Sequence, residues 1–396
     1  MSLPPLRVAF LWHMHQPLYK DPQSGVYRLP WVRLHALKDY YDMVARLDDF
    51  PDLRANFNLV PVLVEQILDY AGGGVIDSHL ELSRKPVEKL TAGEKVSFLR
   101  NSFLGNKATL VERHPRYRAL LHKCGPLASE HEAKAALKRF TAQDLLDLQV
   151  WSNLAWFDPI FEKEPLVADL LARGRNFTEQ MKADLIDLQF RIMKMIVPKY
   201  RELLEAGRIE ITFSPYYHPI LPLLVDSESA REAVPDISLP ARRIEFGTDA
   251  RRQIELGKAY HKEIFGVEPA GMWPPEGALC EDCLRVACEC GVRWVAADET
   301  MLASALGVDL GKKGIKHVYG RKKGAGHASA GREETGHTLK PEDLYRPHRF
   351  VCDGIEAVLL FRDRLLSDLI SCSYNRLQPR GAVEDFMKRL LAIRDA

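Results

Sequence analysis

What most constrains the fold of this chain is an alternation. Short apolar runs of strand length recur between longer stretches of helical period over roughly 300 residues, which argues for a parallel sheet packed with helices. "RVAFLWHMHQP" at the start reads as a strand whose two faces are both largely apolar, as expected of a buried parallel strand. "RANFNLVPVLVEQILDY" predicts a second strand, a turn at Pro61 and a helix. "TAQDLLDLQVWSNLAWF" predicts an amphipathic helix with Thr141 as its N-cap. Farther on, Leu185, Leu188, Ile192 and Ile196 recur at helical spacing before Gly207 and the strand "RIEITFSP". A helix around "GTDARRQIELGKAYHKEIFG", a strand and loop at "PAGMWPPEG", a helix "ALCEDCLRVACECG" and a strand "VRWVAAD" follow in turn. "LYRPHRF" restarts order, "AVLLFRD" reads as a strand, and "VEDFMKRLLAIRD" as a last helix.

Two stretches break the rhythm. Residues of about 83–145 are charged and helix-rich, and read as a helical insertion. Those of about 306–340 are rich in Gly, Lys and His with hardly any apolar pattern, so a flexible loop is expected. The 396 residues carry 55 basic and 54 acidic side chains, a net charge of +1 that gives no general attraction to nucleic acid or an anionic membrane. No run approaches the about 18 apolar residues of a membrane span, and the first apolar run is too short for a signal peptide. A cytoplasmic location is the expectation. Seven cysteines, an odd number, argue against a disulfide framework. Cys280, Cys283, Cys288 and Cys290 cluster; they read as small buried residues of a helix, because their spacing is not that of two separated zinc-ligand pairs. No metal or cofactor is called for.

Polar residues gather where strands end, the place where parallel α/β folds build sites. His13 and His15 are two apart and are expected to share a strand face, as metal ligands, as hydrogen-bonding partners of a polar substrate, or as satisfied structural histidines. Glu210 could face a substrate or solvent. Tyr216, Tyr217 and His218, between Pro215 and Pro219, could be a sugar-stacking shelf or a turn. Asp298 ends a strand and could serve a site or cap a helix. Glu276 in "GMWPPEGALC" is the strongest candidate. Two prolines and a glycine pin its backbone, which argues against the alternative of a casually exposed loop glutamate, and Trp273 beside it offers a face for sugar C–H groups. A carboxylate so placed suits glycoside chemistry, where one carboxyl attacks the anomeric carbon and a second, about 5–5.5 Å away for retention, protonates the leaving oxygen.

These clusters, in this order, resemble glycoside hydrolase family 57. "HMHQP" is similar to its first conserved segment, "GRIEITFSPYYHPILPLL" to its second and "GMWPPEGAL" to its third, which holds the nucleophile. "LQVWSNLAWFDP", "WVAADE" and "LYRP…FRDRLLSDLI" resemble the amylopullulanase and α-amylase-like branch, so the likeness spans nearly the whole chain. It implies a distorted (β/α)7 barrel, a retaining mechanism and α-1,4 or α-1,6 glucan substrates; from the balanced charge no nucleic acid or membrane partner is expected. It puts Glu276 at the nucleophile's place and His13, His15, Glu210, His218 and Trp273 on substrate-site positions. In the family the general acid is an aspartate of a fourth segment. Asp298 and Asp363 have family-like surroundings but match no such segment, so Asp298 is only a candidate acid. The chain is therefore expected to be the N-terminal portion of a longer enzyme, with its barrel incomplete at the C-terminus. Alternatives are a non-catalytic carbohydrate-binding barrel, a 4-α-glucanotransferase, or a metal-dependent deacetylase-like hydrolase acting through His13 and His15; the last is disfavoured by the lack of an acidic partner near the histidines.

Overall fold

A computed structural model describes residues 5–308 and 339–395. Apart from its ends, the loop expected over about 306–340 lies outside the described residues. The chain divides into two units, one of residues 14–54 and 62–210, the other of residues 1–13, 55–61 and 211–396.

The first of these is helical. Its chain runs from α1 (Pro61–Gly72) through α2 (Ala142–Leu154) to the long α3 (Glu179–Glu205). Pro61 is the first helical residue rather than a separate turn, a position where its missing N–H is no loss. The helices within 83–145 are thus part of a longer helical run. Thr141 caps α2 as predicted, in a capping box with Asp144. The expectation of an amphipathic helix fails, because α2 is buried on every side from Asp144 to Leu154. Its polar residues tolerate this because each finds a partner. Asp147 is paired with Arg116, Gln149 donates to the carbonyls of Leu82 and Lys85, and the Lys182 ammonium donates to Gln149 Oε1 at 2.7 Å. Leu148, Trp151 and Leu154 of α2 form one apolar core with Leu185, Leu188 and Ile192 of α3. The apolar period read along α3 is therefore the buried face.

The other unit holds the sheet. β1 (Leu11–Met14), β2 (Ala55–Leu59) and β3 (Ile209–Thr212) lie side by side in that order. β4 (Gly271–Met272), β5 (Trp294–Asp298), β6 (His348–Cys352) and β7 (Ile355–Arg362) follow in the order β4-β5-β7-β6. A parallel bridge between Phe213 and Met272 links the two groups. β4, β5 and β7 are mutually parallel, whereas β6 returns antiparallel to β7. The α/β class with parallel strands agrees with the sequence reading. Among the described residues β1 and β6 are not paired, so the seven strands form an open run rather than a closed ring. β6 was not anticipated. It joins β7 through Asp353 and Gly354, both at positive φ (48° and 79°), as a tight hairpin turn requires.

The helices of this unit include α4 (Gly247–Phe265), α5 (Glu281–Glu289), α6 (Glu299–Ala305) and α7 (Pro379–Asp395). Met272, Val295 and Ala297 of the strands pack with Ile254 of α4 and Cys283, Leu284 and Ala287 of α5. At Gly271 a side chain is excluded, since a Cβ there would lie 2.1 Å from the Trp294 indole on β5. No helix among the described residues is long and apolar enough to cross a membrane.

On α4, His261 is buried, its Nδ1 3.2 Å from the Gly257 carbonyl and its ring against Phe265. Burial pushes its pKa down from 6.5 to about 4. In that interval the unfolded chain holds a proton that the folded protein refuses, so stability is complete above pH 6.5 and is lost as pH falls towards 4. From pH 7 to 5.5 this one group is expected to remove about 1 kcal/mol of stability. Urea unfolding of the wild type and of His261→Gln at both pH values checks this: the variant should lose about that much less.

Candidate active site

Parallel strands deliver their carboxyl ends to one rim, and the sequence puts polar residues at most of those ends. His13 comes from β1, Asn58 from β2, Thr212 and Ser214 from the end of β3, Trp273 from just beyond β4, Asp298 from β5 and Arg362 from β7. The His13 ring lies 5.1 Å from that of His218 and 5.7 Å from that of Trp273, centre to centre. Asn58 organises the floor. Its amide donates to Thr212 Oγ1 (3.1 Å), leaving Oδ1 to accept from His13 Nδ1 at 2.6 Å. The Ser214 hydroxyl lies 3.2 Å from that same oxygen and donates to the Trp273 carbonyl at 2.7 Å, tying β2, β3 and the tryptophan loop together.

His13 is exposed to solvent, although protein packs densely around its ring. Desolvation lowers its pKa below 6.5; Asn58 and Glu276 act against this, and Arg362 reinforces it. A neutral ring that donates from Nδ1 carries its lone pair on Nε2, which makes that nitrogen the acceptor.

Glu276 occupies a tight turn, Pro275–Gly277, directly after Trp273 and Pro274. Its φ of 56° is left-handed, a conformation that costs a side-chain-bearing residue about 1–2 kcal/mol. His218 is held the same way, at φ 59°. Two strained residues in one place indicate a constraint beyond packing. The carboxylate of Glu276 is 69% exposed, and its Oε1 is 4.0 Å from Nδ1 of the buried His218. The pinned backbone thus presents the carboxylate to solvent instead of burying it.

Asp298 and Arg362 face each other across β5 and β7. Both carboxylate oxygens are engaged: Oδ1 accepts from the Thr300 N–H (3.0 Å) and hydroxyl (2.8 Å), Oδ2 from Arg362 Nε (2.8 Å) and Nη2 (2.8 Å). Burial works to raise the Asp298 pKa, but those four donors outweigh it and hold the carboxyl below the usual carboxylate range. Asp298 is also the N-cap of α6, so the helix-capping alternative is realised. The Arg362 guanidinium lies 5.9 Å from the centre of the Trp273 ring.

A sequence model described as "Glycosyl hydrolase family 57" matches residues 9–395. The chain belongs to glycosyl hydrolase family 57. Among solved structures it is similar to the α-amylase AmyC from Thermotoga maritima, at 13% identity and TM-score 0.42, over 91% of this chain and 46% of that one. A family 57 branching enzyme from Thermococcus kodakaraensis, in complex with glucose, matches at 18% identity and TM-score 0.43, over 92% and 49%. The 4-α-glucanotransferase from Thermococcus litoralis matches at 14% identity and TM-score 0.41, over 96% and 30%. The chain spans less than half the length of each. No curated protein sequence matches it.

Of the residues singled out in this family 57 chain, His13, His218, Trp273, Glu276 and Asp298 come together in the sheet unit. His15 does not continue the β1 alternation, because the strand ends at Met14; it and Glu210, exposed on β3, fall within the residues of the helical unit. Tyr216 and Tyr217 meet edge to face, held by their backbone bonds to Gln253. Asn58 and Arg362 were missed, and only their places at strand ends could have marked them. Among the described residues no three His, Cys, Asp or Glu side chains are grouped to hold a metal.

Proposed function

We propose that this chain acts on α-glucans by a retaining mechanism of amylase or amylopullulanase type, with Glu276 as the attacking carboxylate. The observation that carries the reading is Glu276 itself: exposed, strained, and 4.0 Å from His218, whose ring stacks near that of His13, itself near Trp273. Its oxygen would bond to the anomeric carbon as the glycosidic C–O bond breaks, and water or a sugar hydroxyl would then release the glycosyl ester. Trp273 stacks on the sugar, while His13 and His218 bind its hydroxyls. His15 and Glu210 match substrate-site positions on the family resemblance alone.

Asp298 is not the general acid in this proposal. An acid must hold a proton near neutral pH, whereas four donors stabilise the Asp298 anion. Its part is to fix Arg362 against Trp273, and the acid is another group. The same observation favours a second reading, in which the chain binds glucan without turning it over.

A substrate that needs no acid separates the two. Fluoride leaves unprotonated, so 5-fluoro-α-glucosyl fluoride should release fluoride and add one glycosyl group to the peptide containing Glu276, detected by mass. Calorimetric binding of maltoheptaose with no label would support the binding protein. Labelling of a different carboxylate would remove Glu276 as nucleophile.

A further inference from the structure

Four residues after Glu276 the chain enters α5 through a Cys-x-x-Cys pair that the glucan chemistry does not use. Cys280 is the N-cap residue of this nine-residue helix and is partly exposed; Cys283, one turn on, is buried. Their sulfurs are in hydrogen-bonding contact at 3.1 Å. The expectation of small buried residues holds for Cys283 and Cys288, whereas Cys280 and Cys290 are only partly buried.

We propose that Cys280 and Cys283 are a redox-active dithiol, Cys280 attacking and Cys283 resolving, that closes to a disulfide by exchange with a small-molecule disulfide. Three features of the fold support this. An N-cap sulfur lies beside the unpaired N–H groups that begin a helix, which favours its thiolate. The sulfur–sulfur contact with Cys283 lowers the Cys280 pKa, overcoming its burial and the nearby Asp282 and Glu232 carboxylates. The same contact, with burial, raises that of Cys283. The partly exposed sulfur is therefore the nucleophile and the buried one stays a thiol until needed. Contact between the sulfurs means that closure requires little movement of the helix.

The chemistry balances without a further reagent. Cys280 thiolate attacks one sulfur of a disulfide RSSR, forming a Cys280–SR bond and releasing RS⁻. Cys283 then loses its proton, attacks the Cys280 sulfur and expels the second RS⁻. Two thiols are oxidised, one disulfide is reduced to two thiols, and excess thiol reverses the sequence.

The test is independent of any activity on glucans. The chain is equilibrated in mixtures of glutathione and its disulfide, quenched in acid, alkylated, digested and weighed. With rising disulfide, the peptide holding both cysteines should pass from doubly alkylated to unalkylated and two hydrogens lighter than the reduced peptide. Cys283→Ser should accumulate the glutathione adduct on Cys280. Cys280→Ser should form its adduct on Cys283 at least about tenfold more slowly. If both residues stay alkylatable at every ratio, or the two single variants react equally fast, the proposal is overturned.

Discussion

Glu276→Gln is expected to lower turnover of glucosyl fluoride or soluble starch by at least about a thousandfold, because the amide cannot form the glycosyl intermediate. Maltoheptaose affinity should change only a few-fold, since Gln keeps the shape of the side chain and Trp273, His13 and His218 remain. A large loss of affinity with little loss of turnover would instead make Glu276 a binding residue. Stability supplies a separate check. At φ 56° the turn strains any residue with a Cβ, and the side chain is 69% exposed, so almost no packing is lost on its removal. Relief of about 1–2 kcal/mol offsets the about 0.5–1 kcal/mol that glycine's extra freedom costs. Glu276→Gly should thus be at least as stable as the wild type in thermal unfolding, and inactive. A glutamate that destabilises its own fold is what a functional carboxylate held in place by its turn looks like.

How far the sequence could be read follows from which contacts are local. β5 and β7 were legible because their apolar runs are bounded by turn residues, and α3 and α4 because their periods are long. The constraint on the Glu276 backbone was legible because two prolines, a tryptophan and a glycine act on the same few bonds. β6 was passed over because an edge strand, half exposed and opening on "PHR", has little apolar signal of its own; the Asp353–Gly354 dipeptide before β7 was the clue. Asn58 and Arg362 look like ordinary polar residues until β2 and β7 are laid beside their neighbours. Asp298 could be placed at a strand end, but its four donors could not: two come from Arg362, 64 positions later. α2 misled for the same reason, since Asp147, Gln149 and Asn153 read as a solvent face and are buried by partners far along the chain.

One such set of distant partners yields the largest expected loss of stability. Arg33 is wholly buried in the helical unit, and its guanidinium donates in several directions at once. Nε meets Asp77 at 2.8 Å, Nη1 meets Asn153 (2.9 Å) and Gln189 (2.8 Å), and Nη2 lies 3.2 Å from His79 Nδ1. Asp77, also buried, accepts further from the Tyr70 hydroxyl (3.0 Å) and the Leu80 N–H (2.6 Å). The guanidinium therefore joins the helix Trp31–His35 to α2, to α3 and to the helix Ser78–Arg84. Arg33→Met keeps most of the volume but strands the Asp77 carboxylate without its cation, at a cost of about 3–5 kcal/mol. For a unit of this size that is roughly a 10 °C lower melting temperature. Arg33→Lys should fall between, because an ammonium restores the charge but cannot reach all of these acceptors. Adding Asp77→Asn to Arg33→Met should recover part of the loss, since the stranded charge goes with it. If the double variant melts lower than Arg33→Met by the full effect of Asp77→Asn alone, the two act independently. The cost would then lie in packing and amide bonds rather than in a buried ion pair.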